Sequence, residues 1–179
     1  MDSNLQIISG KWRGKKLYLP TNARPTQNKA RIALFNMLGN ISPNIVWDAF
    51  AGSGEFGLEW LSRSQNARAI FTDNNAESIK TIKRNLALLD GANGIIVQTD
   101  ALSAITKFGS DADLIFVDPP YSNAELGVEF IKKIAPVAKN GAVIVWETEK
   151  TFDIPNLPTD LKIIKDKSYG RARFLILTK

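Results

Sequence analysis

The sequence predicts an α/β protein whose mostly parallel sheet carries helices on both faces. Three observations carry that reading. Beyond residue 45, short apolar runs alternate with stretches of helical periodicity. Gly52-Ser53-Gly54-Glu55-Phe56-Gly57 follows the first of these runs and leads into a helix. Five successive runs each deliver an acid: Asp48, Asp73, Asp100, Asp118 and Glu147. Acids scattered over a solvated surface would not keep that register. At the C-terminal edge of a parallel sheet they line the crevice where ligands bind.

Each element has a local reason. Leu5 to Ser9 and Lys16 to Leu19 alternate apolar and polar residues around Gly10-Lys11-Trp12-Arg13-Gly14, which reads as a β-hairpin with a basic turn. Thr26 suits the N-cap of a helix over 27–38, with Ile32, Leu34, Phe35 and Leu38 as its apolar stripe. Strands follow at Ile45–Trp47, Ala69–Thr72, Ile95–Val97, Leu114–Val117 and Ala142–Trp146. Helices alternate with them, to about Arg63 and then over 76–89, 101–108 and 126–138, the last with Pro136 as an earlier stop or kink. Leu161 to Lys167 and Arg173 to Thr178 read as a terminal hairpin around Tyr169-Gly170. The organisation expected is a basic hairpin and helix over 1–40 and an α/β domain over 41–179.

Composition narrows the chemistry. The 179 residues contain no Cys and no His, so disulfides, thiolate or imidazole metal ligands and His-based nucleophile activation are excluded. Any metal site would be carboxylate-only, and none is expected. No apolar run approaches the roughly 18 residues of a membrane span, and Met1 to Pro20 lacks a signal-peptide core. A cytoplasmic chain is the expectation. The net charge of +5 sits in one place: residues 1–31 hold seven cations against one anion, while the remaining 16 cations and 17 anions nearly cancel. A basic segment ahead of a near-neutral body is the footprint of polyanion binding. A solubilising tail is the competing account, and apolar residues interleaved with the charges weigh against it.

Asp118-Pro119-Pro120-Tyr121 closes the Leu114–Val117 run. Its prolines fix φ and remove two donors, leaving a stiff, acceptor-rich ledge beside an aromatic face. Such a ledge suits a flat base bearing an exocyclic amine; taken alone it is equally a Pro-Pro loop with a solvated acid.

The glycine loop matches the dinucleotide fingerprint G-x-G-x-x-G. Asp48 argues against a pyrophosphate there, because like charges ~4 Å apart cost roughly 4 kcal/mol at an effective dielectric of ~20. It suits instead a cofactor with a cationic end, such as the ammonium of S-adenosylmethionine. Asp73 would then accept the ribose hydroxyls, and Asp100 the adenine amino group.

With Asp48-Ala49-Phe50-Ala51-Gly52-Ser53-Gly54 and Asp118-Pro119-Pro120-Tyr121 together, the chain resembles class I S-adenosylmethionine-dependent methyltransferases of exocyclic amines. Trp12-Arg13-Gly14, Arg24-Pro25-Thr26, Leu34-Phe35-Asn36, Asn85-Leu86 and Tyr169-Gly170 narrow the resemblance to 16S rRNA (guanine-N2) methyltransferases of the RsmD type. It covers nearly the whole chain. Asp73 stands where many members have Glu, Glu55-Phe56 replaces smaller residues, and Trp47 and Trp60 are bulkier than usual.

The resemblance implies a Rossmann-like fold with a seven-stranded sheet. It also implies a cofactor set of Asp48, Phe50, Gly52, Ser53, Gly54, Asp73, Asp100 and Ala101, and catalysis at Asp118, Pro119, Pro120 and Tyr121. Asp118 and the Pro119 carbonyl would hold the target amine, with Tyr121 stacked on the base. Lys11, Trp12, Arg13, Lys15, Lys16, Arg24 and Arg31 would hold RNA, although Trp12 also reads as core and Arg31 as a helix-surface charge. The implied substrate is guanine 966 of 16S rRNA in an assembling small-subunit particle, met by a monomer. A DNA adenine-N6 methyltransferase, a non-catalytic RNA-binding module and a dinucleotide oxidoreductase are the alternatives.

Overall fold

The computed structural model describes residues 5–21, 28–64 and 66–179. Arg24, Thr26 and Gln27 lie outside them. Within these bounds the chain runs α1 (Asn28–Leu38), β1 (Ile45–Asp48), α2 (Glu55–Arg63), β2 (Arg68–Asp73), α3 (Ala76–Ala87) and β3 (Gly94–Gln98). It continues with α4 (Ala101–Phe108), β4 (Leu114–Val117), α5 (Ala124–Ile134), β5 (Val143–Glu149), β6 (Lys162–Tyr169) and β7 (Ala172–Thr178).

The seven strands form one sheet ordered β3-β2-β1-β4-β5-β7-β6. β1 to β5 pair in parallel, and β7 pairs antiparallel with both β5 and β6. The strand order reverses between β1 and β4, which opens a crevice above their C-terminal ends. Asp48 lies opposite Phe116 in that pairing, so Asp118 stands two residues farther out.

Both faces of the sheet are covered, which is why β1 and β4 read as unbroken apolar runs. Alternate residues supply two cores. Val46, Phe71 and Phe116 pack with Phe56 and Leu58 on one face. Trp47, Ile115 and Ile144 pack with Phe108, Phe130 and Trp146 on the other. Trp47 fits because its ring meets Phe130 and Phe108 at centroid distances of 5.4 and 5.9 Å, while its Nε1 donates to Thr72 Oγ1 at 2.9 Å.

The first segment departs from the expected hairpin. Among the described residues its pairing is a single antiparallel bridge, Gln6 to Lys16. Residues 10–15 are spent in consecutive turns, with the Arg13 amide donating to Gly10 and the Lys15 amide to Trp12. The Ile8 and Ser9 amides leave the ladder altogether and donate to the Glu59 carboxylate at 2.7 and 3.0 Å. Gly10 sits at φ 85°, and a Cβ there would lie 1.9 Å from the Ser62 carbonyl oxygen. The arm is thus held against α2 as well as against itself, where the Ile7, Gly14 and Leu17 amides donate to the Lys15, Ile7 and Leu5 carbonyls at 3.0, 2.8 and 2.9 Å. Leu5, Ile7 and Leu17 bury with Leu34, Phe35 and Leu38 of α1 in the same core as Phe71 and Phe116, so residue 40 marks no gap in packing.

Three further expectations are corrected. Ile32 is not in the buried stripe of α1: it is 42% exposed, and Arg31 takes the inward position at 3%. α5 ends at Ile134, two residues before Pro136, rather than near Ala138. β5 extends to Glu149 because β7 pairs along all of it, so Glu147 lies inside the strand, opposite Phe174, rather than at its exit.

Candidate functional site

The loop from β1 to α2 is built to expose backbone. Gly52 and Gly54 take φ values of 52° and 79°, a region that side-chain-bearing residues rarely adopt. The Gly52 amide donates to Asp73 Oδ2 at 2.8 Å and the Ala51 amide to the Thr72 carbonyl at 2.9 Å, which ties the loop to the end of β2. Asn85 holds it from below: its Nδ2 donates to the Ser53 carbonyl and also to the Tyr18 carbonyl, each at 2.9 Å.

This loop forms one wall of a pocket above the β1–β4 switch point, through Asp48, Phe50, Ala51, Gly52 and Ser53. Asp118 and Glu147 line the same pocket, with Phe56 and Phe116. Arg31 and Leu34 of α1 and Leu19 of the arm also line it. Asp48 is 1% exposed and accepts from the Gly57 amide at 3.1 Å. Burial pushes its carboxyl up to about 7, with the charges of Asp73 and Glu55 adding to the effect. Burial also raises Glu55 to about 7 against the pull of Arg31, whose Nε lies 2.8 Å from Glu55 Oε1. Asp118, directly beyond β4, is raised well above the carboxylate range by burial and then by the neighbouring charge of Glu147.

Tyr121 opens a 3₁₀ turn, Tyr121–Asn123, and donates from its hydroxyl to Glu147 Oε1 at 3.0 Å. Burial raises Glu147 to about 7. The Pro120 carbonyl, expected to be free, accepts from the Asn123 amide at 2.8 Å. A second cavity adjoins the first, lined by Pro119, Pro120, Tyr121, Thr148, Glu149 and Phe152, and Glu147 borders both.

The pocket therefore gathers Asp48, Phe50, Gly52, Ser53 and Asp118. Asp73, Asp100 and Ala101 stand farther along the same sheet edge and do not line it. Asp73 accepts from the Gly52 and Asn75 amides at 2.8 Å each, and Asp100 caps α4 by accepting from the Ser103 amide at 3.0 Å. Lys11, Arg13, Lys15 and Lys16 are exposed on the arm. Trp12 is half-buried against the core, with Lys11 Nζ 5.0 Å from its ring centroid. Arg31 is not the helix-surface charge of the alternative reading: its guanidinium is buried, donates to the Gln6 carbonyl at 2.9 Å and lines the pocket. Sequence reasoning missed Glu55 as a pocket residue and gave Glu147 a place at the crevice but no contact of its own. The strand-edge register was the available signal for Glu147; the Glu55–Arg31 pair had none, since its partners lie on different helices.

The raised carboxyls make a stability prediction. Asp48, Glu55 and Glu147 start from ordinary values of 3.8, 4.5 and 4.5 and titrate near 7 in the fold. Between those limits the native state binds more protons than the unfolded chain, so stability falls as pH rises and levels off above about 7. Melts of the ligand-free protein should give a Tm several degrees higher at about pH 5.5 than at about pH 8. A Tm that climbs across this range contradicts the burial assignment.

Comparison with known proteins follows the same outline. Residues 5–178 match the family model described as Conserved hypothetical protein 95. The chain is 34% identical over 181 residues to Ribosomal RNA small subunit methyltransferase D of Escherichia coli, covering 95% of this chain and 87% of that one. A solved structure from Escherichia coli superposes with a TM-score of 0.83 at 31% identity, covering 97% of each chain. A precorrin-6y C5,15-methyltransferase from Geobacter metallireducens, 16% identical, shares the fold with a TM-score of 0.65 over 89% of this chain and 92% of that one.

Proposed function

The chain belongs to the family of Conserved hypothetical protein 95, that of the RsmD-type rRNA methyltransferases, and from that premise we propose that it methylates the exocyclic N2 amine of a guanine in 16S rRNA. S-adenosylmethionine is the methyl donor in this reading, and guanine 966 is the position that the family resemblance implies. The protein acts as a cytoplasmic monomer on a small-subunit particle. The observation that carries the proposal is that Asp48 and Asp118, from neighbouring strands, line one pocket at the switch point.

The residues present fit the cofactor. Asp48 is a buried carboxyl pushed up to about 7, and an ammonium beside it would favour its ionised form. The backbone of Gly52, Ser53 and Gly54 would border the methionine part, with Phe50 and Ala101 flanking it. Asp73 would take the ribose hydroxyls and Asp100 the adenine amino group. When bound, the cofactor supplies a methyl group on a sulfonium, an electrophile that needs no metal.

Asp118 and the Pro119 carbonyl accept the two N–H bonds of the amine and turn its lone pair out of conjugation with the ring. Because Asp118 binds a proton more tightly than an ordinary carboxylate, it suits the proton that the amine sheds as its nitrogen gains the methyl. Tyr121 stacks on the flipped base, worth roughly 1–3 kcal/mol. Lys11, Arg13, Lys15 and Lys16 neutralise phosphates along the arm. The RNA substrate in the name of the Escherichia coli relative favours this reading over a DNA adenine-N6 methyltransferase.

The test is mass spectrometry of nucleosides from 16S rRNA. RNA from cells lacking the protein should have lost one N2-methylguanine, and the wild-type gene should restore it. An unchanged N2-methylguanine content rules the proposal out.

A further inference from the structure

The motif Asp118 to Tyr121 holds an amine without saying which base carries it, since adenine N6 and guanine N2 both offer two N–H bonds. What separates the bases is the neighbouring ring position. Guanine presents N1–H, a donor, beside its amine; adenine presents a bare N1 lone pair. A second acceptor beside the amine-holding one would therefore select guanine and repel adenine.

Glu147 occupies such a position. It is 2% exposed, on β5, the strand next to that of Asp118. The two carboxyls line the same pocket, and each is close enough to Asp118's amine-holding ledge for their charges to interact. Glu147 also borders the adjoining cavity beside Pro119, Pro120 and Tyr121, so it stands where the two spaces meet. Its Oε1 accepts the Tyr121 hydroxyl at 3.0 Å, which fixes the carboxyl orientation. Its Oε2 is enclosed and has no hydrogen-bond partner among the described residues. Holding Tyr121 requires one oxygen only. A buried acceptor left unpaired is costly and is rarely kept unless a ligand completes it.

We propose that Glu147 selects the target base: its unpaired Oε2 accepts the N1–H of guanine while Asp118 holds the N2 amine. This rests on the guanine-N2 reading above and supplies the specificity that the Asp118 ledge lacks.

The probe is 2-aminopurine, which keeps the exocyclic 2-amine and lacks N1–H. Small-subunit particles are reconstituted with 16S rRNA carrying guanine or 2-aminopurine at the methylated position, and kcat/KM is measured on both. Wild-type protein should prefer guanine by about 10- to 100-fold, the range for a hydrogen bond to a charged group. In Glu147→Met, which keeps the length of the side chain and removes both acceptor oxygens, that ratio should collapse toward one. Glu147→Asp, which withdraws the carboxylate by one methylene, serves as a second variant and should lower the ratio as well. Both substrates are read on the same preparation, so loss of folded protein cancels. If the variants slow both substrates equally and keep the wild-type ratio, Glu147 only positions Tyr121 and the proposal is overturned. If wild-type protein methylates neither base at N2, the guanine-N2 reading itself fails.

Discussion

Asp118→Ala should lower kcat by roughly 10³-fold, within the range for losing a positioned proton acceptor or an electrostatic contact at the reacting atom. Affinity for S-adenosylmethionine, measured by titration calorimetry, should stay within about twofold of wild type. The separation follows from placement. Asp118 stands directly beyond β4, outside the glycine loop, whereas Asp48 leads into that loop and accepts from the Gly57 amide of α2. The same substitution should not destabilise the protein. Asp118 is crowded by the charges of Glu147, Asp48 and Glu55, so its removal relieves repulsion. A thermal melt should show an unchanged or higher Tm, the signature of a residue kept for chemistry at the expense of the fold. Cofactor affinity lost in step with turnover, or a sharply lower Tm, would mean that Asp118 is structural.

Glu59→Ala should be the most damaging single change to the fold outside the pocket. Glu59 is 0% exposed, and its two oxygens accept from the Ile8 amide at 2.7 Å, the Ser9 amide at 3.0 Å and Arg63 Nε at 2.7 Å. Removing it strands two backbone donors and a guanidinium. The cost expected is about 3–5 kcal/mol, a large part of a typical domain's stability. The loss should also free the basic arm, so RNA affinity should fall although Glu59 touches no phosphate. Urea melts and an RNA-binding titration check both effects, with Glu59→Gln intermediate because it keeps one acceptor. A loss below about 1 kcal/mol would show that the arm is held by its apolar residues alone.

How much of this was legible in the sequence depends on where each residue's partner lies. The helix Ala101–Phe108 and the strand Leu114–Val117 have the bounds their periodicity predicts, because both are decided by burial of their own side chains. Asp48 and Asp118 were legible as neighbours at one site because parallel strands must deliver their ends to one edge. Glu147 was misplaced by two residues because the length of β5 is set by its pairing with β7, which begins more than twenty residues later. Arg31 and Ile32 exchanged roles for a similar reason. Alternation and helical spacing favour burying an isoleucine, and partners distant in sequence, the carboxylate of Glu55 and the Gln6 carbonyl among them, make an inward arginine tolerable. The expected hairpin is cut short where Ile8 and Ser9 find an acceptor on α2, leaving the Gln6–Lys16 bridge and its neighbouring backbone bonds.

The anchoring of the arm also bears on the order in which the protein can be made. The Ile8, Trp12 and Tyr18 amides donate to the Glu59, Ser62 and Asn85 side chains, at sequence separations of 51, 50 and 67 residues. A ribosome synthesising this chain releases the basic arm before its anchors, and those three amides have no side-chain acceptor to dock on until α2 and then α3 have emerged. At about 5–20 residues per second that interval lasts several seconds. Its contacts are non-local, the kind that loop-closure entropy makes slow to form. The surface proposed to grip ribosomal RNA is therefore assembled only after the sheet that does the chemistry has begun to fold.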